Sequence, residues 1–163
     1  YSVEESAAIL VKMNLIKGYA DGSLKLENSI TRAEFCSLMV RMMKKEGSVK
    51  NSAISKFKDV KESHWAYGTI DTAVQYGYLS GYSDGTFRPS NSITYAETCA
   101  ILVNALGYGD ELVGAWPKNV MEKAAELNLN ADLEKKESSY QMTRGEVSVM
   151  LVNAMNTIVR GEL

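Results

Sequence analysis

Apolar residues in this chain fall at the three-and-four spacing of buried helical stripes, and the same stripe comes back along the sequence. Ala7, Leu10, Val11 and Leu15 form the first. Ile70, Ala73, Val74 and Tyr78 form the second, and Val120, Ala124 and Leu127 the third. Each is followed, after a short polar segment, by a Thr-x-x-Glu box: Thr31/Glu34, Thr94/Glu97 and Thr143/Glu146. In such a box the threonine hydroxyl accepts from the backbone N–H three residues on, while the glutamate reaches back to the threonine's own N–H. The boxes therefore predict three helix starts. The helices they open carry Phe35, Leu38, Met39, Met42 and Met43, then Ile101, Leu102, Ala105 and Leu106, then Val147, Met150, Leu151, Ala154 and Met155. Stripes that broad belong against other helices in a shared core, and the methionines serve packing rather than a soft metal.

The segments between stripe and box repeat too. Gly18-Tyr19-Ala20-Asp21-Gly22-Ser23-Leu24-Lys25 returns as Gly81-Tyr82-Ser83-Asp84-Gly85-Thr86-Phe87-Arg88, and Asn28-Ser29-Ile30-Thr31 returns in the same register as Asn91-Ser92-Ile93-Thr94. A third copy is fainter. Met142-Thr143-Arg144-Gly145-Glu146 echoes Ile30-Thr31-Arg32-Ala33-Glu34, and Ala115-Trp116 echoes His64-Trp65, but Asn128 to Glu137 stand where the Asp-Gly loop would be. Each copy reads as helix, tight loop, helix, and is too small to bury its own apolar face. Three units closed around a pseudo-threefold axis, with the boxed helices converging, is the economical arrangement.

Composition narrows the chemistry. The 163 residues are 45% hydrophobic and 23% charged, with a formal net charge of −2, which offers no basic excess for nucleic acid. No apolar run approaches the length that spans a bilayer, so membrane insertion is not expected. The opening Tyr1-Ser2-Val3 has neither initiator Met nor apolar leader, which reads as a mature or excised piece of something longer. Cys36 and Cys99 occupy equivalent places in their helices and read as buried thiols rather than a disulfide. His64 stands alone, so neither a metal site nor a cofactor is expected. Asp21 and Asp84 precede glycine in tight loops without the alternating acids of a calcium loop. Gly47 to Ser55 is the best internal joint.

With these residues in view, the chain resembles the S-layer homology family. The second copy carries it most fully: Phe57-x-Asp59-Val60, His64-Trp65-Ala66, Gly77-Tyr78-Leu79-Ser80-Gly81-Tyr82-x-Asp84-Gly85-Thr86-Phe87-Arg88-Pro89, and Ile93-Thr94-x-Ala96-Glu97. The resemblance implies an all-α fold of three helix-loop-helix modules, approximately 1–46, 57–108 and 109–163. Together they form one domain over 1–163, a prism around a central three-helix bundle. It implies non-covalent anchoring of a bacterial, Gram-positive surface protein to the cell wall, without catalysis. The partner is then a secondary cell-wall polysaccharide ending in a pyruvylated aminosugar, bound in grooves between modules; the alternative partner is another surface-layer domain.

Carried over residue by residue, the resemblance puts Arg32 and Arg144 on the sugar carboxylate, Trp65 and Trp116 on its ring face, and the loop residues Gly22, Gly85, Asp21, Asp84 and Arg88 beside it, with Lys25 equivalent to Arg88. A guanidinium suits a carboxylate because it offers two parallel hydrogen bonds, and exposed N–H groups of the helix start would add to it. Glycine admits backbone close to a ligand. Tyr95 replaces the motif arginine in the second copy, Ser2 stands where the other copies have tryptophan, and the third copy lacks the loop. One or two competent grooves are expected, not three.

Overall fold

The computed structural model describes residues 1–47 and 57–157. Most of the expected joint at Gly47 to Ser55 lies outside that range. The fold is all-α: α1 (Val3–Lys12), α2 (Arg32–Met42), α3 (Tyr67–Gln75), α4 (Tyr95–Ala105), a single 3-10 turn (Gly109–Glu111), α5 (Lys118–Glu126) and α6 (Arg144–Met155). All three predicted boxes start a helix. Thr31, Thr94 and Thr143 accept from the glutamate N–H three residues on, at 3.1, 3.2 and 3.1 Å. Each glutamate returns the bond to its threonine. A fourth box, Ser2 with Glu5, starts α1.

Backbone hydrogen bonds close the three copies into a ring. Ile93 N–H donates to Ile30 O at 2.8 Å, Met142 N–H to Ile93 O at 3.0 Å, and Ile30 N–H to Met142 O at 3.3 Å. These are the residues before the three box threonines. The first helical residue of each boxed helix closes a second cycle with the donors running the other way round, Arg32 N–H to Asn91 O, Tyr95 N–H to Tyr140 O and Arg144 N–H to Asn28 O. The second does so again, Ala33 to Pro89, Ala96 to Ser138 and Gly145 to Leu26. Donors that a helix start ordinarily leaves open are thus answered by the neighbouring copy. The N–H groups that the sequence offered to a ligand are already occupied.

Helix packing follows the ring and not the repeat. α3 lies against α2, α5 against α4, and α1 against α6, so each stripe-bearing first helix packs on the boxed helix of the preceding copy. Among the described residues the boxed helices themselves approach, backbone to backbone, only at α4 and α6. Their side chains still form the heart of the core: Phe35, Met39, Cys99, Leu102, Val147, Met150 and Leu151 are all essentially inaccessible. Gly145 stands where the other boxes have alanine because α1 is close. A Cβ there would come within 2.4 Å of Val3 Cγ1.

Cys36 and Cys99 are buried and free, as the sequence reading has it. Burial pushes each thiol up to about 12, against which the Arg32 charge pulls Cys36 and the Tyr95 hydroxyl pulls Cys99. Since only the thiolate is nucleophilic, the native protein at mildly alkaline pH is expected to leave both unlabelled by a maleimide. In urea both will label. Fast native labelling of either one would contradict the burial described here.

Candidate functional site

Two clefts between copies match each other almost residue for residue. The first, about 460 Å³, is lined by Arg32 from the first copy, Tyr78 to Ser83 and Glu97 from the second, and Trp116 from the third. The second, about 280 Å³, has Arg144 from the third copy, Leu15 to Tyr19 and Glu34 from the first, and Trp65 from the second. All three copies contribute to each. The capping scheme sets the arginines in place, since each is the first residue of a boxed helix and points across to the neighbouring copy's loop.

In the first cleft the guanidinium is enclosed. Arg32 is 3% exposed, with Nε donating to Phe87 O at 2.9 Å, Nη2 to Ser80 O at 3.3 Å, and Nη1 to the Glu97 carboxylate. The Tyr82 and Phe87 rings lie on it, each centroid 4.8 Å from Cζ, and the Tyr82 hydroxyl donates to Glu97 as well. Arg144 holds the same post more loosely. Its Nε donates to Leu24 O at 3.0 Å and its guanidinium lies 5.1 Å from the Tyr19 ring, but Nη1 is 3.9 Å from Glu34, beyond hydrogen-bonding reach. The terminal nitrogens of Arg144 make no hydrogen bond among the described residues.

The tryptophans stand at the mouths. Trp65 is 68% and Trp116 56% exposed, which a packing role does not explain. His64 supports Trp65, stacking on it and accepting at Nδ1 from Ala66 N–H at 3.0 Å, the turn that leads into α3.

The loop residues predicted from the resemblance sit elsewhere. Gly22 and Gly85 occupy loop tips at φ +82° and +83°, where a side chain is strained, and their N–H groups close turns onto Tyr19 O and Tyr82 O. Asp21 bonds the N–H and hydroxyl of Ser23, and Asp84 those of Thr86. Arg88 pairs with Asp84 at 3.3 Å and stacks 3.8 Å over Tyr82; Lys25 likewise lies 4.1 Å over Tyr19. These five positions shape the loops and do not line either cleft. Among the cleft residues that sequence reasoning passed over are Gly18 and Gly81 with Tyr19 and Tyr82. Their signal was their own recurrence, read as loop geometry. Gly81 is tightly fitted, since a Cβ there would meet the Phe57 ring at 2.2 Å and Thr86 O at 2.8 Å.

At the third interface Tyr95 takes the arginine's place and is buried. Burial, then the Cys99 thiol beside it, pushes its hydroxyl well above the ordinary tyrosine range, while Asn130 bonds it. The carboxylate equivalent to Glu34 and Glu97 is Glu146. It pairs with Lys136 at 2.5 Å and accepts from the Tyr140 hydroxyl at 2.9 Å, both supplied by its own copy.

Burial alone would raise Glu97, but the Tyr82 hydroxyl, the Arg32 charge and the Thr94 N–H outweigh it and hold the carboxyl below its ordinary 4.5. Burial of Glu146 is outweighed in the same way by Lys136, the Thr143 N–H and Tyr140. Unfolded chains therefore bind these protons at higher pH than folded ones. The stability these two acids contribute is full above about 4.5 and is lost as pH falls through their lower folded values. Urea midpoints measured between neutral pH and about pH 3 should fall less steeply for Glu97→Gln than for the parent. Identical slopes would count against the network.

Comparison with known proteins agrees with the repeats. The model for the S-layer homology domain matches residues 1–36 and 56–99. The middle cell wall protein of Brevibacillus brevis is 34% identical over 154 residues, covering 94% of this chain and 14% of that protein. A surface layer protein of Brevibacillus choshinensis is 31% identical over 155 residues, with the same two coverages. A cellulosome-anchoring protein of Acetivibrio thermocellus is 40% identical over 102 residues, 61% of this chain and 23% of that protein. The chain thus spans less than a quarter of each of these relatives.

Proposed function

We propose that this chain, which belongs to the S-layer homology domain family, anchors a larger protein to the cell surface of a Gram-positive bacterium by gripping a secondary cell-wall polysaccharide in its inter-copy clefts. The carrying observation is the pair of clefts in which an arginine, a loop tyrosine and an exposed tryptophan converge from three copies. A sugar ring stacks its apolar face on an exposed indole, and a guanidinium with free nitrogens takes a carboxylate in two parallel bonds. A pyruvyl ketal supplies such a carboxylate. Trp65 with Arg144 is the pair assigned to it, while Trp116 and Arg32, whose nitrogens are already engaged, line the matching sugar cleft. The modules 1–46, 57–108 and 109–163 act as one unit in this reading, because no cleft is complete without all three.

The role is binding and not catalysis. Glu34, Glu97 and Glu146, the recurring acids, are engaged as helix caps and ion-pair partners. The third interface, with Tyr95 in place of arginine, adds no competent groove. Co-sedimentation with wall fragments tests the proposal. The protein is expected to pellet with fragments that retain polysaccharide and pyruvate, and to stay in solution with fragments stripped of them by acid; equal pelleting with both would defeat it.

A further inference from the structure

The two clefts are built on one plan but carry different charge. At two equivalent positions the first cleft has neutral Ser80 and Asn104, whereas the second has Lys17 and Arg41. With Arg144, the second cleft therefore holds three cations against the single carboxylate of Glu34. In the first, Arg32 and Glu97 are the charged residues and neutralise each other.

Commitment of these groups differs as well. Arg32 has its donors on Phe87 O, Ser80 O and Glu97, and an incoming carboxylate would meet Glu97. Among the described residues the terminal nitrogens of Arg144 make no hydrogen bond. Arg41 donates through Nη1 to the Leu15 backbone carbonyl at 3.0 Å, and its carboxylate neighbour is the exposed Glu46, 3.9 Å away. Lys17 makes no ion pair among the described residues.

We infer that the clefts divide their ligands by charge: the Arg144 cleft takes a carboxylate-bearing sugar, the Arg32 cleft an uncharged one, and Lys17 and Arg41 set the difference. This rests on the saccharide-binding reading above. Complementary charge in a partly enclosed cleft discriminates more strongly than the same charges on open surface, and added salt weakens the preference.

Each cleft has its own reporter, because Trp65 and Trp116 are the chain's two tryptophans and stand one in each. Their indole N–H signals in a nitrogen-15 spectrum are followed while two probes are added, the methyl glycoside of 4,6-O-pyruvylated N-acetylmannosamine and its uncharged methyl ester. The acid is expected to saturate Trp65 at about tenfold lower concentration than Trp116, and the ester to show no such preference. Lys17→Ser with Arg41→Asn should weaken the acid at Trp65 by about tenfold and leave the ester unchanged. That variant copies residues the second copy already has. Its fold is read from the same spectrum, and Asn153, at the position equivalent to Arg41, shows that an asparagine can make the Arg41 bond, donating to Leu129 O at 3.0 Å. Equal saturation of both indoles by the acid, or an unaltered Kd in the double variant, overturns the charge division while saccharide binding stands. Stillness of both indoles with both probes overturns the two readings together.

Discussion

Arg32→Ala is expected to cost about 3–5 kcal/mol of folding free energy, whereas Arg144→Ala is expected to cost about 1 kcal/mol, although the two residues occupy the same place in the repeat. The difference lies in what each leaves behind. Without Arg32, Glu97 remains in a largely enclosed site with its capping bond and one tyrosine hydroxyl, and Phe87 and Tyr82 lose the flat cation between them. Removing one member of a buried pair exposes the desolvation penalty of the other. Without Arg144, Glu34 loses a neighbour that is 3.9 Å away and Leu24 O loses one donor. Urea unfolding of the two single variants measures this directly, and Glu97→Gln in the Arg32→Ala background should recover part of the loss. Equal costs at the two positions would show that the enclosed pair contributes nothing special. In wall binding the ranking reverses. Arg144→Ala is expected to fold and to bind weakly, so that any loss there is a loss of recognition.

Met142→Ala should lower stability by about 2–5 kcal/mol and do so in a single transition that includes the first helix. Met142 is fully buried, and its backbone closes the three-membered hydrogen-bond cycle with Ile30 and Ile93. Loosening it weakens both junctions of the third copy at once, while α1 depends on α6 for its packing surface. Far-UV circular dichroism and the fluorescence of Trp65 and Trp116 are expected to report coincident midpoints. A separate early transition of α1, or of the third copy alone, would mean that the ring does not couple them.

Much of this fold was legible because local rules and long-range packing agree. The box threonines, the apolar stripes and the recurrence of Gly-Tyr-x-Asp-Gly each rest on interactions within a few residues and appear where they were expected, except that Val11 of the first stripe is exposed. The partner of each first helix was not legible. An amphipathic stripe says that a face is buried and is silent about which neighbour buries it, so the exchange that pairs α3 with α2 and α1 with α6 emerges only in three dimensions.

The sites split along the same line. Arg32 and Arg144 have the same sequence context, yet one is locked on a carboxylate and the other is not, and that turns on a separation from Glu97 or Glu34 that no spacing encodes. Asp21, Asp84 and Arg88 recur as strongly as the arginines but are engaged within their own loops. Recurrence marks what the fold needs as readily as what a ligand needs. Arg41 escaped notice for the opposite reason, since its counterpart Asn104 shares neither charge nor shape.

The lodging of α1 on α6 makes the number three a structural requirement. A fragment holding only two copies would end with a first helix at one side lacking its seat and a boxed helix at the other lacking its cover. Because these surfaces are complementary and not identical, such fragments would join head to tail, each lending its unseated helix to the next molecule. Growth would stop only where the geometry returns to its starting point, so the intact chain is that polymer closed upon itself by covalent continuity.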